Sequence, residues 1–166
     1  MQKDVQNLKF NFPDTWQVSQ YDELVFYRKK FSTMCNKIKA VDLIALENQV
    51  VWLIEVKDYR QHPRTKTIDL AEEVIQKVVA TLAAMLPAKI HASIEEEKKF
   101  ASRVLRAASL RVVLHLEQPV THSKLFPRAI DPAKLQLKLR NRIKSIDPHP
   151  KVVEASGMQN LAWTVT

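Results

Sequence analysis

Apolar runs and one polar interruption mark the clearest local pattern in the chain, in the segment KAVDLIALENQVVWLIEVKDYR. Two runs rich in apolar and β-branched residues flank a short polar stretch around Asn48 and Gln49. This arrangement predicts a β-hairpin. If the turn consists of those two residues, antiparallel pairing places Asp42 directly opposite Glu55. The facing pair therefore depends on the length of the turn.

Helical spacing of apolar residues predicts four helices in the rest of the chain. The first runs from Trp16 to about Phe31, although its ELVFY stretch is also compatible with a strand. The second begins at Asp69, an N-cap with Glu72 in a capping box, and ends near Leu86 because Pro87 follows. Its predicted buried stripe is Ile75, Val78, Val79, Leu82 and Met85. The others span residues 94–108 and 132–146.

Short strands are predicted at NLKFNF, at residues 110–117, at KVVEA and at LAWTVT, with a loop over residues 117–127. Helices alternating with a hairpin and further strands predict a mixed α/β (α+β) sandwich, with helices flanking a small sheet. The length of 166 residues is typical of one domain, so we expect a single domain over residues 1–166.

Composition narrows the classes of function. The formal charge of +8, from 26 Lys and Arg against 18 Asp and Glu, favours polyanionic partners. The single glycine excludes glycine-rich phosphate loops, and the single cysteine excludes an intramolecular disulfide, which indicates a reducing cytoplasmic setting. No apolar run is long enough for a membrane helix and the N-terminus lacks the core of a signal peptide, so we expect no membrane partner.

Charged residues within the hairpin are the candidate site. Alternation along the second strand puts Glu55 and Lys57 on one face, which Asp42 joins if it lies opposite Glu55. Two convergent carboxylates form a hard, oxygen-rich site suited to Mg²⁺ or Mn²⁺. The alternative is that these residues are solvated or ion-paired at the strand ends, but the apolar runs around them make an unpartnered charge costly.

The pair VD at 41–42 and the triplet EVK at 55–57 resemble the core motif of the PD-(D/E)XK nuclease superfamily. This resemblance implies a restriction-endonuclease-like sandwich, a small mixed central sheet with a β-hairpin core flanked by helices. It also implies that Asp42, Glu55 and the Val56 carbonyl coordinate Mg²⁺ (or Mn²⁺), and that Lys57 positions or activates the attacking water. The proline of the motif name is absent.

The resemblance suggests further site residues. An acidic residue before the hairpin would be Glu23, with Asp22 as the alternative, and a glutamine on the following helix would be Gln76, with Glu73 on much the same face. Solvated helix faces are the structural alternative for Glu23 and Gln76. Phosphate contacts are predicted from the loop after the motif, with a solvated loop as the alternative; its residues are Arg60, His62, Arg64 and Lys66.

The predicted function is a metal-dependent nuclease, an endo- or exodeoxyribonuclease that hydrolyses phosphodiester bonds in DNA, with a homodimer left open. The alternative is a catalytically inactive nucleic-acid-binding or assembly module with the same fold. Little chain is left between the first predicted helix and Asp42 for the extra strand that the superfamily usually has there. NLKFNF, the C-terminal strand or a shorter first helix are three ways to provide it.

Overall fold

The computed structural model describes residues 1–34, 37–121, 124–125 and 129–166, so part of the loop expected at 117–127 lies outside the described residues. Within the described ranges the chain forms the strands β1 (Gln2–Val5), β2 (Leu8–Asn11), β3 (Gln17–Gln20), β4 (Leu43–Glu47), β5 (Val50–Asp58), β6 (Ser109–Glu117), β7 (Lys151–Val153) and β8 (Thr164–Val165). Its α-helices are α1 (Leu70–His91), α2 (Glu95–Val104) and α3 (Pro132–Ile143), and a 3₁₀-helix at Tyr21–Glu23 and a π-helix at Tyr27–Phe31 lie between β3 and β4.

The strands form two sheets. The larger has the order β3-β4-β5-β6-β7, in which β3, β4 and β5 run antiparallel and β6 and β7 continue parallel to β5. The smaller, β1-β2-β8, is antiparallel. Helices α1 and α2 connect β5 to β6, and α3 lies between β6 and β7 in the chain. The predicted mixed α/β class, with a hairpin inside a mixed sheet, is confirmed.

The hairpin forms in the predicted register. Pairing runs from Glu47 opposite Val50 to Leu43 opposite Ile54, so Asn48 and Gln49 are the turn. Asn48 takes φ 52°, a left-handed conformation that asparagine tolerates in two-residue hairpin turns. Asp42 is the next residue beyond the paired ladder.

The helix predicted from Trp16 to Phe31 is wrong over its first part. Residues 17–20 form β3, which pairs with β4 from Gln17 opposite Leu46 to Gln20 opposite Leu43. Ladder hydrogen bonds to a strand distant in sequence override the local helical spacing. Strand β3 lies before Asp42 in the chain and beside β4 in the larger sheet, whereas NLKFNF contributes β2 to the smaller sheet.

Helix α1 continues past the proline that was expected to end it. Pro87 removes one backbone donor, but Met85 and Ala88 on either side of it are both buried, and their packing holds the helix on to His91. Asp69 caps the start as predicted, accepting from the Glu72 N–H. The predicted stripe is wrong at Val79, which is 51% exposed.

The larger sheet separates two cores. On one face the helices pack on side chains such as Ile44, Leu53 and Leu114. On the other face the smaller sheet and an aromatic cluster pack on Ile54, Val56 and Val113. No helix in the described ranges combines the length and the apolar character needed to cross a membrane.

Candidate active site

Asp42, Glu55 and Lys57 come together on the helix-facing side of the larger sheet. Glu55 is fully buried, and Asp42 and Lys57 are 7% and 8% exposed. Lys57 Nζ lies 2.8 Å from Glu55 Oε1, as expected for residues two apart on one strand face. The predicted trio is therefore a buried group beneath α1.

Helix α1 adds two charged residues to this group. Lys77 Nζ donates to Glu55 Oε1 at 2.5 Å and lies 3.8 Å from Asp42 Oδ1. Glu73 Oε1 accepts from Lys57 Nζ at 3.0 Å. Thr81 ties the helix to the strand, because its hydroxyl accepts from the Val41 N–H at 3.0 Å. We call Asp42, Glu55, Lys57, Glu73 and Lys77 the charged cluster.

The open end of the β4–β5 ladder lies beside the cluster. Asp42 Oδ2 accepts from the Val56 N–H at 2.7 Å and so replaces the strand partner that β4 no longer supplies. The Val56 carbonyl accepts from Gln6 Nε2 at 3.0 Å, and Gln6 Oε1 accepts from the Asp58 N–H at 3.2 Å. The side chain of Gln6, in the β1–β2 turn, thus covers the free edge of β5.

The carboxylates of the cluster differ in their electrostatics. Burial, and next the charge of Asp42, raises the pKa of Glu55 to about 7, against the opposing effect of Lys77 and Lys57. Burial of Glu73 favours its neutral form, but hydrogen bonds from Lys66, Arg64 and Lys57 outweigh it and lower its pKa to about 2. Glu73 is therefore an ionised anchor for the cations around it.

The ammonium of Lys57 is held in its charged form. Burial alone would lower its pKa, but the charge of Glu55 and the hydrogen bonds to Glu55 and Glu73 outweigh burial and raise it. At neutral pH this side chain is a hydrogen-bond donor and a fixed positive charge, suited to orienting an anion or a water molecule.

Asp22, rather than Glu23, is the acidic residue of the 3₁₀-helix that interacts electrostatically with the charged cluster. Burial, then the charge of Asp42, raises the Asp22 pKa, and Lys77 opposes this. Glu23 is exposed and accepts from Gln20 Nε2 at 3.1 Å. Gln76 is also exposed and donates to Glu72 Oε1 at 3.5 Å, so neither Glu23 nor Gln76 bonds to the trio in the described ranges.

Two carboxylate oxygens near the cluster are left without partners. Within the part of the chain that the structure describes, Glu55 Oε2 and Asp22 Oδ1 are buried and accept no hydrogen bond. Buried acceptors of this kind are costly unless a cation or a water binds them. The donor chemistry of Asp22, Asp42 and Glu55 therefore fits a hard divalent cation. No three His, Cys, Asp or Glu side chains of the described residues stand together as a preformed metal-binding group.

The basic loop after β5 is tied down by acidic partners. Arg60 is bonded to Asp58 through Nε and Nη2 at 2.9 and 2.7 Å. Arg64 and Lys66 both bond to Glu73, at 2.6 and 2.5 Å, and so extend the charged cluster outward. His62 is exposed. Arg64 and Lys66 are thus adjacent to the candidate site.

A cavity of about 740 Å³ opens beside the cluster, along the outer side of α1. Glu73, Gln76 and Lys77 line it from the helix. Lys37, Lys39 and Lys66 line it elsewhere, together with apolar side chains including Ile38 and Ile68. An anionic group entering the cavity would meet lysine ammonium groups next to the buried carboxylates.

Lys77 was missed from the sequence, although one signal could have pointed to it. It falls between the buried residues Val74 and Val78 on α1, where an unpaired lysine would be costly. A lysine inside an apolar stripe indicates a buried acidic partner, and Glu55 was already expected on the strand beneath. Glu73 was considered only as a neighbour of Gln76.

Comparison with known proteins gives one partial similarity. The chain is 34% identical to the cysteine–tRNA ligase of Neisseria meningitidis serogroup A over an alignment of 159 residues. The match covers 77% of this chain and 23% of the ligase, so the chain spans about a quarter of the length of that relative. No family model matches the sequence, and no solved structure matches.

Proposed function

We propose that the chain is a metal-dependent nuclease that hydrolyses phosphodiester bonds in DNA. The observation that carries the proposal is the buried pair Asp42 and Glu55 with Lys57 beside it, at the point where the β4–β5 ladder opens. An ionised group in a core is costly, and unpartnered Glu55 Oε2 raises that cost. The cost of burying these carboxylates is consistent with a site that binds a cation.

The order of elements supports a restriction-endonuclease-like sandwich as the finer description of the fold. An antiparallel meander, β3-β4-β5, leads through α1 and α2 into β6, which is parallel to β5. Strand β3 provides the additional strand that the resemblance to the PD-(D/E)XK superfamily requires before Asp42. In that framework EVK at 55–57 lies on the central strand.

The proposal assigns a metal-binding or water-orienting role to each residue of the site. Asp42 and Glu55 would hold Mg²⁺ or Mn²⁺, with the Val56 carbonyl using the lone pair that Gln6 leaves free. When bound, the cation supplies Lewis-acid stabilisation of negative charge at the scissile phosphate. The Lys57 ammonium, fixed between Glu55 and Glu73, orients the attacking water and steadies the charge that develops on the phosphate.

The surroundings of the site suit a polyanion. Lys37, Lys39 and Lys66 line the cavity that reaches the cluster. On α3, Lys138 and Arg142 bond to Asp69 and Glu72 at the start of α1, which keeps further basic side chains on the same side of the molecule. Lysine and arginine contacts to phosphate position a nucleic acid without specifying its sequence.

A cleavage assay tests this proposal. Plasmid and single-stranded oligonucleotide substrates are incubated with Mg²⁺ or Mn²⁺ and with wild-type, Asp42→Asn or Lys57→Met protein. We expect each substitution to slow cleavage by at least about a hundredfold, because each removes a group acting at the reacting phosphate. Asp4→Asn and Lys3→Met, which alter strand β1, are matched controls and should cleave like wild type. Cleavage that survives both site substitutions would overturn the assignment.

A second candidate function is a nucleic-acid-binding module without catalysis. The similarity to a segment of a tRNA ligase favours it, because the ligase acts on tRNA. This module would bind tRNA through the lysines that line the cavity, Lys37, Lys39 and Lys66. It gains support if wild-type protein binds tRNA but cleaves neither DNA nor RNA at millimolar Mn²⁺.

A further inference from the structure

Lys77 lies where a cation bound to the two candidate ligands would also lie. Its Nζ is 2.5 Å from Glu55 Oε1 and 3.8 Å from Asp42 Oδ1, and the residue is 9% exposed. The ammonium therefore already supplies the positive charge that two neighbouring carboxylates require. A divalent cation bound to Asp42 and Glu55 would compete with it for the charge of the same two carboxylates.

Charge balance makes the competition strong. In the charged cluster and its two outer partners, Asp42, Glu55 and Glu73 carry three negative charges, against four positive charges on Lys57, Lys77, Arg64 and Lys66. A divalent cation added to this group would raise its excess of positive charge from one to three. One lysine leaving reduces that excess.

The two lysines are not equally free to leave. Lys57 Nζ bonds to Glu55 on its own strand and to Glu73 on α1, at 2.8 and 3.0 Å, so it is held from two sides. Among the residues that the structure describes, Lys77 forms its ion pairs with Asp42 and Glu55, the ligands a cation would take. Lys77 therefore loses its partners when the ligands are engaged.

The Lys77 ammonium lies next to a space that it could occupy after displacement. It lines the cavity of about 740 Å³ on the outer side of α1. The flexible four-carbon stem of lysine lets the ammonium change position without moving the helix. In the cavity it would join Lys37, Lys39 and Lys66, so the charge lost from the ligand pair is gained by the surface that faces an anion.

We propose that Lys77 is a displaceable counter-cation. It stabilises the carboxylate pair in the metal-free protein, and Mg²⁺ or Mn²⁺ expels its ammonium into the cavity, where it can contact a phosphate group of the substrate. The inference rests on the metal site of the proposed function but not on cleavage. It assigns to Lys77 a role in the order of binding, with the metal first and the anion second.

Selective labelling of lysines in wild-type protein tests the displacement. The full chain is treated with an acetylating N-hydroxysuccinimide ester, with and without saturating Mg²⁺, and acetylation at each lysine is followed by mass spectrometry. We expect Mg²⁺ to speed labelling of Lys77 by at least about tenfold, because a buried ammonium becomes accessible. Lys3, on β1, is the internal control and should not change. A Lys77 that stays protected at saturating Mg²⁺ would overturn the proposal.

Metal affinity gives an independent test. Mn²⁺ binding to the full chain is measured by calorimetry for wild type, Lys77→Gln and the control Lys99→Gln. The neutral glutamine can still donate a hydrogen bond to Glu55 but no longer competes as a cation, so we expect Lys77→Gln to bind Mn²⁺ about tenfold more tightly. Lys99→Gln, which changes an exposed lysine on α2, should bind like wild type.

The outcomes separate this inference from the proposed nuclease. Tighter binding of Mn²⁺ by Lys77→Gln supports displacement whether or not the protein cleaves DNA. Equal or weaker binding, or no binding by either protein, overturns displacement. Wild-type cleavage that depends on Asp42 and Lys57 would leave the nuclease assignment in place in that case.

Discussion

The two faces of the larger sheet are built from the same strands but are packed in different ways. On the face toward β1-β2-β8, alternate residues of β5 such as Ile54 and Val56 meet aromatic side chains, and all three tryptophans lie in that layer. On the face toward the helices, Glu55 and Lys57 of the same strand meet Glu73 and Lys77. One face is packed mainly with apolar and aromatic side chains, and the other buries a charged cluster beside its own apolar core.

Aromatic packing and buried ion pairs contribute differently to the stability of the fold. Burial of aromatic rings stabilises the folded chain directly, because apolar surface leaves water and the rings contact each other. Burial of ion pairs stabilises little or not at all, since desolvation of the charges offsets their attraction. The apolar cores on both faces account for folding, and the charged cluster is better explained by the proposed function.

Loss of Trp163 should have the largest effect on stability. Its ring is 1% exposed and lies 5.4, 5.7 and 5.2 Å from the rings of Phe12, Trp16 and Trp52. Trp163→Ala should lower the free energy of unfolding by about 3–5 kcal/mol, measured by urea denaturation. Val120→Ala, at a 95% exposed position, should change it by less than about 0.5 kcal/mol. A loss under about 1 kcal/mol at Trp163 would remove the aromatic face from the account of stability.

The charged face should respond differently to single and double substitutions. Glu55→Gln leaves Lys77 without its nearest carboxylate and should cost about 3 kcal/mol, because one buried charge stays uncompensated. The double variant Glu55→Gln with Lys77→Met removes the pair and should return to within about 1 kcal/mol of wild type. Thermal and urea unfolding measure both. Equal losses in the single and double variants would mean that the pair stabilises the fold after all.

The smallest expected effect is on acid stability. The pKa of Glu73 is about 2 in the folded protein, below its ordinary value of 4.5, so its contribution is present above pH 4.5 and is lost as the pH falls toward 2. Glu73→Gln should therefore flatten the decline in stability over that range. After allowance for solvent screening, we expect a difference of about 1–2 kcal/mol between neutral and acid pH. An unchanged acid limb in urea titrations would contradict the anchoring role.

The hairpin could be predicted from sequence because its signals are local. Apolar runs, a polar turn and the tolerance of Asn48 for a left-handed conformation fix a register that carries Asp42 next to Glu55. The trio was recognisable for the same reason. The residues of α1 that pack against the trio, Glu73 and Lys77, could not be assigned to it from the sequence.

The misread segments depend on contacts between residues that are distant in sequence. Residues 17–20 have helical spacing, yet they form a strand because β4 offers its free edge to them. Likewise, α1 passes Pro87 because its buried residues continue on both sides. The burial of Lys77 depends on the carboxylates of Asp42 and Glu55, which α1 meets only in the folded chain. Helical spacing alone predicted a buried Val79, but Val79 is exposed and Lys77 is buried.

A crystal of the protein soaked in Mn²⁺ shows, through the anomalous scattering of the ion, whether Asp42 and Glu55 bind a cation. We expect an anomalous peak about 2.1 Å from oxygens of Asp42 and Glu55, with Lys77 Nζ withdrawn into the cavity. Asp42→Asn crystals treated in the same way should show no peak. A wild-type crystal without a peak, in which Lys77 still bonds to Glu55 at saturating Mn²⁺, would contradict the account.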